Sequence, residues 1–246
     1  MYHFFTDQNA VYDDHIEITG ADFNHITHVL RMKKGEEITI GIIGSTKEYL
    51  CRIDAFEADR VLCLILDQQT VSTELPSKIT LFQGLPKADK MELIIQKAVE
   101  LGAAKIVPVA MARSVVKLDD KKAASKVVRW QGISEAAAKQ SKRGIIPVVS
   151  APLSFSEAIK EAGNYDHILV PYEDARGFAH TREVLKSLKS GESIAVFIGP
   201  EGGFAPTEIE KARESGAEIL TLGKRILRTE TAGLVALSLI MAELEE

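Results

Sequence analysis

The chain has 246 residues, 46% of them hydrophobic and 26% charged, and a formal net charge of -5. That is ordinary globular composition, and it excludes a disordered tail protein, a collagen-like fibre and a disulfide scaffold. The length allows one large domain or two unequal ones. The two cysteines, Cys51 and Cys63, sit among alternating apolar residues without histidines at zinc spacing. They read as small buried side chains of strands, and no metal site is expected.

In chain order, residues 1–70 are expected to be mostly strand. Residues 22–30 (DFNHITHVL) place Phe23, Ile26, Val29 and Leu30 on one face of a short helix, closed by RMKKG with Gly35 as its cap. Residues 37–43, 49–56 and 60–66 are β-prone runs separated by turn residues, which suggests a small barrel. The polar stretch from Val71 to Lys78, with Pro76, reads as a domain boundary. Beyond it strand and helix alternate. Strands are expected at 78–85, 105–110, 145–149, 167–170, 193–198 and 218–222. Helices are expected at 89–101 (capped by Gly102), 119–140, 155–162, 180–188, 206–215 and 229–244. Such alternation implies a mostly parallel sheet covered on both faces. The apolar run at 232–244 is broken by Ser238 and Glu243 and is too short to span a membrane. The start, MYHFFTDQNA, shows no secretory signal, so the cytoplasm is the expected compartment.

Charge is distributed unevenly. Residues 1–70 hold six Lys/Arg against twelve Asp/Glu, whereas residues 113–143 hold nine basic residues against three acidic ones. The basic stretch reads either as a polyanion footprint or as a solvated helix face. Arg113 and Arg143, which bracket it, are its better anion candidates, because guanidinium grips phosphate bidentately. Trp130, inside it, reads as core. The histidines form no catalytic or metal arrangement. His25 and His28 share a helix face, but no nearby carboxylate completes a metal set.

Two segments carry candidate chemistry. FIGPEGGF, residues 197–204, follows an apolar strand and precedes a helix that Thr207 and Glu210 would cap. Gly199, Gly202 and Gly203 leave its backbone bare, so a ligand can approach main-chain groups at the carboxyl edge of a parallel sheet. It is neither a P-loop nor a dinucleotide fingerprint. LGKRILRTETA, residues 222–232, turns at Gly223 and flanks Ile226 and Leu227 with Lys224, Arg225 and Arg228. It reads either as a pocket wall for a heteroaromatic ring or as helix capping by Thr229 or Thr231, with Arg228 paired to Glu230.

These two segments, with PKADKMELIIQKAVELGA (residues 86–103), ARSVVKL (112–118), RWQGISEAAAKQSKR (129–143) and HITHVLRMKKGEE (25–37), resemble the RsmE family of bacterial SPOUT-class methyltransferases, over nearly the whole chain. Lys224 stands where that family often has proline. The resemblance implies an α/β fold: a PUA-like RNA-binding β-barrel at residues 1–72 and a SPOUT domain at 73–246 with a parallel sheet and a deep trefoil knot. It implies S-adenosyl-L-methionine as cofactor, a homodimer, and methylation of uridine N3 in 16S ribosomal RNA of the small ribosomal subunit. It implies cofactor contacts from Pro171, Ile198, Gly199, Pro200, Glu201, Gly202, Gly203, Leu222, Gly223, Ile226, Leu227 and Thr231. Arg228 and Glu230 are the expected catalytic pair, and Arg31, Lys33, Lys34, Arg113, Lys142 and Arg143 the expected RNA contacts. The rivals are a non-catalytic RNA-binding or ribosome-assembly factor and a SPOUT ribose methyltransferase.

Overall fold

The computed structural model describes residues 1–70, 73–173 and 177–245. Of the stretch read as a boundary, Val71 to Lys78, residues 71 and 72 lie outside the described residues. The chain divides into two units: residues 1–74 with 138–146, and residues 75–137 with 147–246.

The amino-terminal unit is built on five strands: β1 (Tyr2–Thr6), β2 (His15–Thr19), β3 (Glu37–Ile42), β4 (Lys47–Phe56) and β5 (Arg60–Thr70). They lie in the order β1-β3-β4-β5-β2, with only the β1–β3 pair parallel. Alternation puts Ile16, Ile18, Ile38, Ile40, Cys51, Ile53, Val61 and Cys63 into one core. Both thiols are free, and burial pushes them up to about 12. The expected helix at 22–30 is a short α1 (Gly20–Asn24) running into a π turn at His25–Val29. Arg31, at φ 54°, ends it in the left-handed region instead of Gly35.

Residues 138–146 join this unit through buried polar contacts. Lys139 Nζ reaches Asp22 Oδ1 at 2.8 Å. Arg143, 3% exposed, donates to both Glu74 carboxylate oxygens, and Glu74 also accepts the Gly144 N–H at 3.0 Å. Beside them His3 Nδ1 lies 2.9 Å from Thr39 Oγ1 and 3.1 Å from Glu48, which also accepts from Gln69. Burial lowers the His3 imidazole below its usual range; Lys139 and Lys142 reinforce this and Glu48 opposes it.

The second unit is a parallel sheet in the order β12-β10-β11-β6-β7-β8, with β9 also on β7. Its strands are β6 (Lys78–Gly84), β7 (Lys105–Ala110), β8 (Val148–Val149), β9 (Leu153–Ser154), β10 (His167–Pro171), β11 (Ser193–Ile198) and β12 (Glu218–Leu220). Its helices are α2 (Lys90–Glu100), α3 (Asp120–Gln140, which ends in the first unit), α4 (Phe155–Ala162), α5 (Phe178–Ser187), α6 (Pro206–Glu214) and α7 (Thr229–Leu244). The central strands are nearly continuous apolar runs because both faces are covered. Phe82 and Phe197 stack at 4.5 Å between ring centroids in this core. Trp130 is buried, as expected.

Local chemistry sets the element ends. Gly102, at φ 86°, closes α2 in a Schellman arrangement, with Ala103 N–H on Ala98 C=O and Gly102 N–H on Val99 C=O. The strand expected at 145–149 shrinks to β8, because Pro147 cannot donate to a ladder. The Pro147 carbonyl is taken by Ser134 and Gln131. At α6 the expected pair of Thr207 and Glu210 does not cap. Pro206 fills the first turn, and Glu208 reaches back to the Ala205 N–H at 2.7 Å. The other Glu208 oxygen accepts the Ala112 N–H at 2.8 Å, so the loop after β7 is tied to the entry of α6.

Candidate active site

The loops that leave β6, β7, β10, β11 and β12 emerge at the carboxyl edge of the parallel sheet, where ligands of open α/β sheets bind. They enclose a cleft of about 920 Å³, the size range of sites for drug-sized ligands. The turn after β11 and the loop after β12 form facing walls. Pro171, Ile198, Gly199, Pro200, Glu201, Gly202, Gly203, Leu222, Gly223, Ile226 and Leu227 all line it. Thr231, expected with them, does not. The lining side chains from the start of α7 are Thr229 and Ala232.

The walls are held by close backbone approach. A Cβ on Gly84 would come within 2.6 Å of Pro200, and one on Gly202 within 2.9 Å of the Arg113 side chain. Arg113 donates to the Gly202 carbonyl at 3.0 Å, so this residue, expected as an RNA contact, also belongs to the cleft. Gln83, fully buried, donates to Thr229 Oγ1 at 2.9 Å, and Thr229 donates to the Gly199 carbonyl at 2.6 Å. Neither Thr229 nor Thr231 caps α7, whose N-cap position is Arg228 and has no side-chain cap.

Two carboxylates meet at one lysine. Lys90 Nζ lies 3.1 Å from Glu201 and 3.1 Å from Glu230. Glu201 also accepts the Lys87 N–H at 3.1 Å. The carboxylates of Glu201 and then Glu230, which the ammonium faces, hold Lys90 above its usual range. Burial pushes the Glu201 carboxyl up, but its own N–H, that of Lys87 and the Lys90 ammonium outweigh this and leave it low. Glu230 is lowered first by its own backbone N–H, against burial, and then by Lys90 and Arg228. Glu230 therefore pairs with Lys90, while Arg228 is exposed on the cleft wall.

The remaining basic candidates lie in the amino-terminal unit. Arg31, Lys33 and Lys34 are exposed on the turn before β3, with Lys34 paired to Asp54 at 3.1 Å. Lys142 is exposed. Arg143 needs correction as a phosphate grip: its guanidinium is buried against Glu74 and is spent within its own unit. Lys90, Gln83 and Thr229 were missed as site residues. For Lys90 a signal existed, since it lies in the PKADKMEL stretch that carries part of the resemblance. Gln83 ends an apolar strand and nothing local marks it.

The arrangement fits S-adenosylmethionine in its donor set. Bare main-chain atoms at the glycines can approach a nucleoside, apolar Ile198, Leu222 and Leu227 can flank its base, and Glu173, also on the wall, can face an ammonium. Among the described residues no group of three or more His, Cys, Asp or Glu could hold a metal ion, and no helix is long and apolar enough to cross a membrane.

A family model described as an RNA methyltransferase domain matches residues 73–241, and one described as an RNA methyltransferase PUA domain matches residues 18–66. The chain is thus of the RNA methyltransferase class, an α/β catalytic domain with a PUA-like amino-terminal domain. It is 41% identical over 231 residues to the Bacillus subtilis ribosomal RNA small subunit methyltransferase E, covering 93% of this chain and 90% of that one. A Neisseria gonorrhoeae protein of the same name, solved with S-adenosyl methionine, superposes at a TM-score of 0.84 with 32% identity, over 98% of this chain and 97% of the other. A Legionella pneumophila protein solved with the same cofactor superposes at 0.85, with 32% identity and the same coverage. The chain belongs to the ribosomal RNA small subunit methyltransferase E family.

Proposed function

We propose that this protein transfers a methyl group from S-adenosylmethionine to N3 of a uridine in 16S ribosomal RNA of the small subunit. The observation that carries this reading is the cleft between two glycine-bearing loops, with Arg228 on its wall and Glu230 paired to the wall residue Lys90. S-adenosylmethionine, when bound, supplies an already activated methyl on its sulfonium. The chain's own task is then to place the uridine in line and to remove the N3 proton, because neutral uridine is a poor nucleophile there.

Arg228 stabilises negative charge developing on the uracil carbonyl oxygens. Glu230, held ionised by its own N–H and by Lys90, accepts the proton or orients Arg228. The PUA-like domain positions the RNA through Arg31, Lys33 and Lys34, Lys142 just beyond α3 adds a phosphate contact, and Arg113 holds the turn over the cleft. A deep trefoil knot, a homodimer that shares each RNA site and a cytoplasmic location complete the proposal. The apolar sides of α7 suit the dimer.

The reading is tested with Arg228→Ala and Glu230→Gln in single-turnover methylation of small ribosomal subunits from a strain lacking the protein. Calorimetry with S-adenosylmethionine runs alongside. Each variant is expected to lose about a hundredfold in rate while retaining donor affinity. Unchanged rates in both eliminate the pair. Nucleoside mass spectrometry separates base from ribose methylation.

A further inference from the structure

We propose that Lys90 is a positioning residue of this cleft: its single ammonium clamps Glu201, on the turn after β11, to Glu230, at the start of α7. This deepens the methyl-transfer reading and rests on it. The two carboxylates each lie 3.1 Å from the same Nζ, so their oxygens are within about 6 Å of one another, a range at which like charges disfavour joint ionisation. Lys90 neutralises that repulsion. It does so from α2, which packs against α7, a different element from either carboxylate. The clamp therefore fixes the wall over the donor relative to the helix that bears the proton-accepting side chain.

The buried side of the same junction is already held by Gln83 through Thr229 to Gly199. Lys90 is its partly exposed counterpart. The charged groups around Glu230 are Lys90 from α2, Glu201 from the turn and Arg228 from the entry of its own helix. Without Lys90, Glu230 faces one cation and one anion, so its carboxyl rises. A base that must be ionised then works only at higher pH. The added negative charge also faces an anionic substrate.

The test compares wild type with K90M, K90R and K90M/E201Q, using single-turnover rates on small ribosomal subunits from pH 4 to 9, so that the acid limb below the usual carboxylate range is included. Calorimetry with S-adenosylmethionine and thermal unfolding across acidic to neutral pH accompany them. In K90M the acid limb is expected to move up by about one pH unit, so that the rate on that limb falls up to about tenfold, while the neutral-pH rate drops only through lost positioning. K90R keeps the wild-type limb, because guanidinium can serve both carboxylates. In K90M/E201Q the limb returns toward wild type, because the repelling charge is gone. Superimposable wild-type and K90M profiles overturn the proposal, as does a K90M limb that E201Q leaves in place.

The melting curves decide the clamp without reference to activity. Both carboxyls are lowered in the fold, so their stabilisation is present above the usual carboxylate range and lost as pH falls through the lowered values. K90M should lose part of this pH dependence and E201Q restore stability to K90M. Equal melting of K90M and wild type at every pH overturns the clamp. A wild type that binds no S-adenosylmethionine strikes the methyl-transfer reading alone.

Discussion

The basic end of α3 and the cleft both concentrate functional-looking side chains, yet they use them oppositely. In the amino-terminal unit Lys139 is paired to Asp22 and Arg143 to Glu74, so two of the three cations there serve the unit's own cohesion. In the cleft, polar side chains mostly secure main chain, as Arg113 does Gly202 and Thr229 does Gly199. Backbone at the glycines and the exposed Arg228 are left for ligands. A local excess of positive charge is therefore a poor guide to a polyanion site until its partners are known. A glycine-rich turn that other residues hold in place is a better one.

The comparison is broken most severely by Arg143→Ala. If Arg143 is structural, its loss strands the Glu74 carboxylate and costs the amino-terminal unit about 3 kcal/mol, read by urea denaturation followed by circular dichroism. A fully stable variant with weakened RNA binding would return Arg143 to the phosphate contacts. Next comes Gly84→Ala. The added Cβ meets Pro200 backbone and ring at 2.6 Å, so the turn must shift, at about 1–3 kcal/mol. Calorimetry should show S-adenosylmethionine affinity reduced by about ten- to a hundredfold. The smallest effect is expected from Lys142→Glu. As an exposed single charge, it should weaken RNA binding modestly and reduce the salt slope by about one. An unaltered slope removes Lys142 from the RNA surface.

Local signals were legible in the second unit. The bounds of α4, β11 and α7 follow directly from apolar periodicity and turn residues, and Gly102 closes α2 as its position suggests. Elsewhere nearby competitors won. Pro206 and Glu208 displaced the Thr207 and Glu210 cap, and Pro147 trimmed β8. β1 and β2 went unread, since short strands are specified by their cross-strand partners rather than by their own sequence.

The sequence alone determined the alternation of strand and helix and the two glycine-bearing bends, because these rest on interactions within a few residues; most of the cleft lining came from the family resemblance. Which cations are spent and which remain was decided only in three dimensions. Glu74 and Arg143, or Lys90, Glu201 and Glu230, are far apart along the chain, and a charge acquires its role from whatever carboxylate the fold sets beside it.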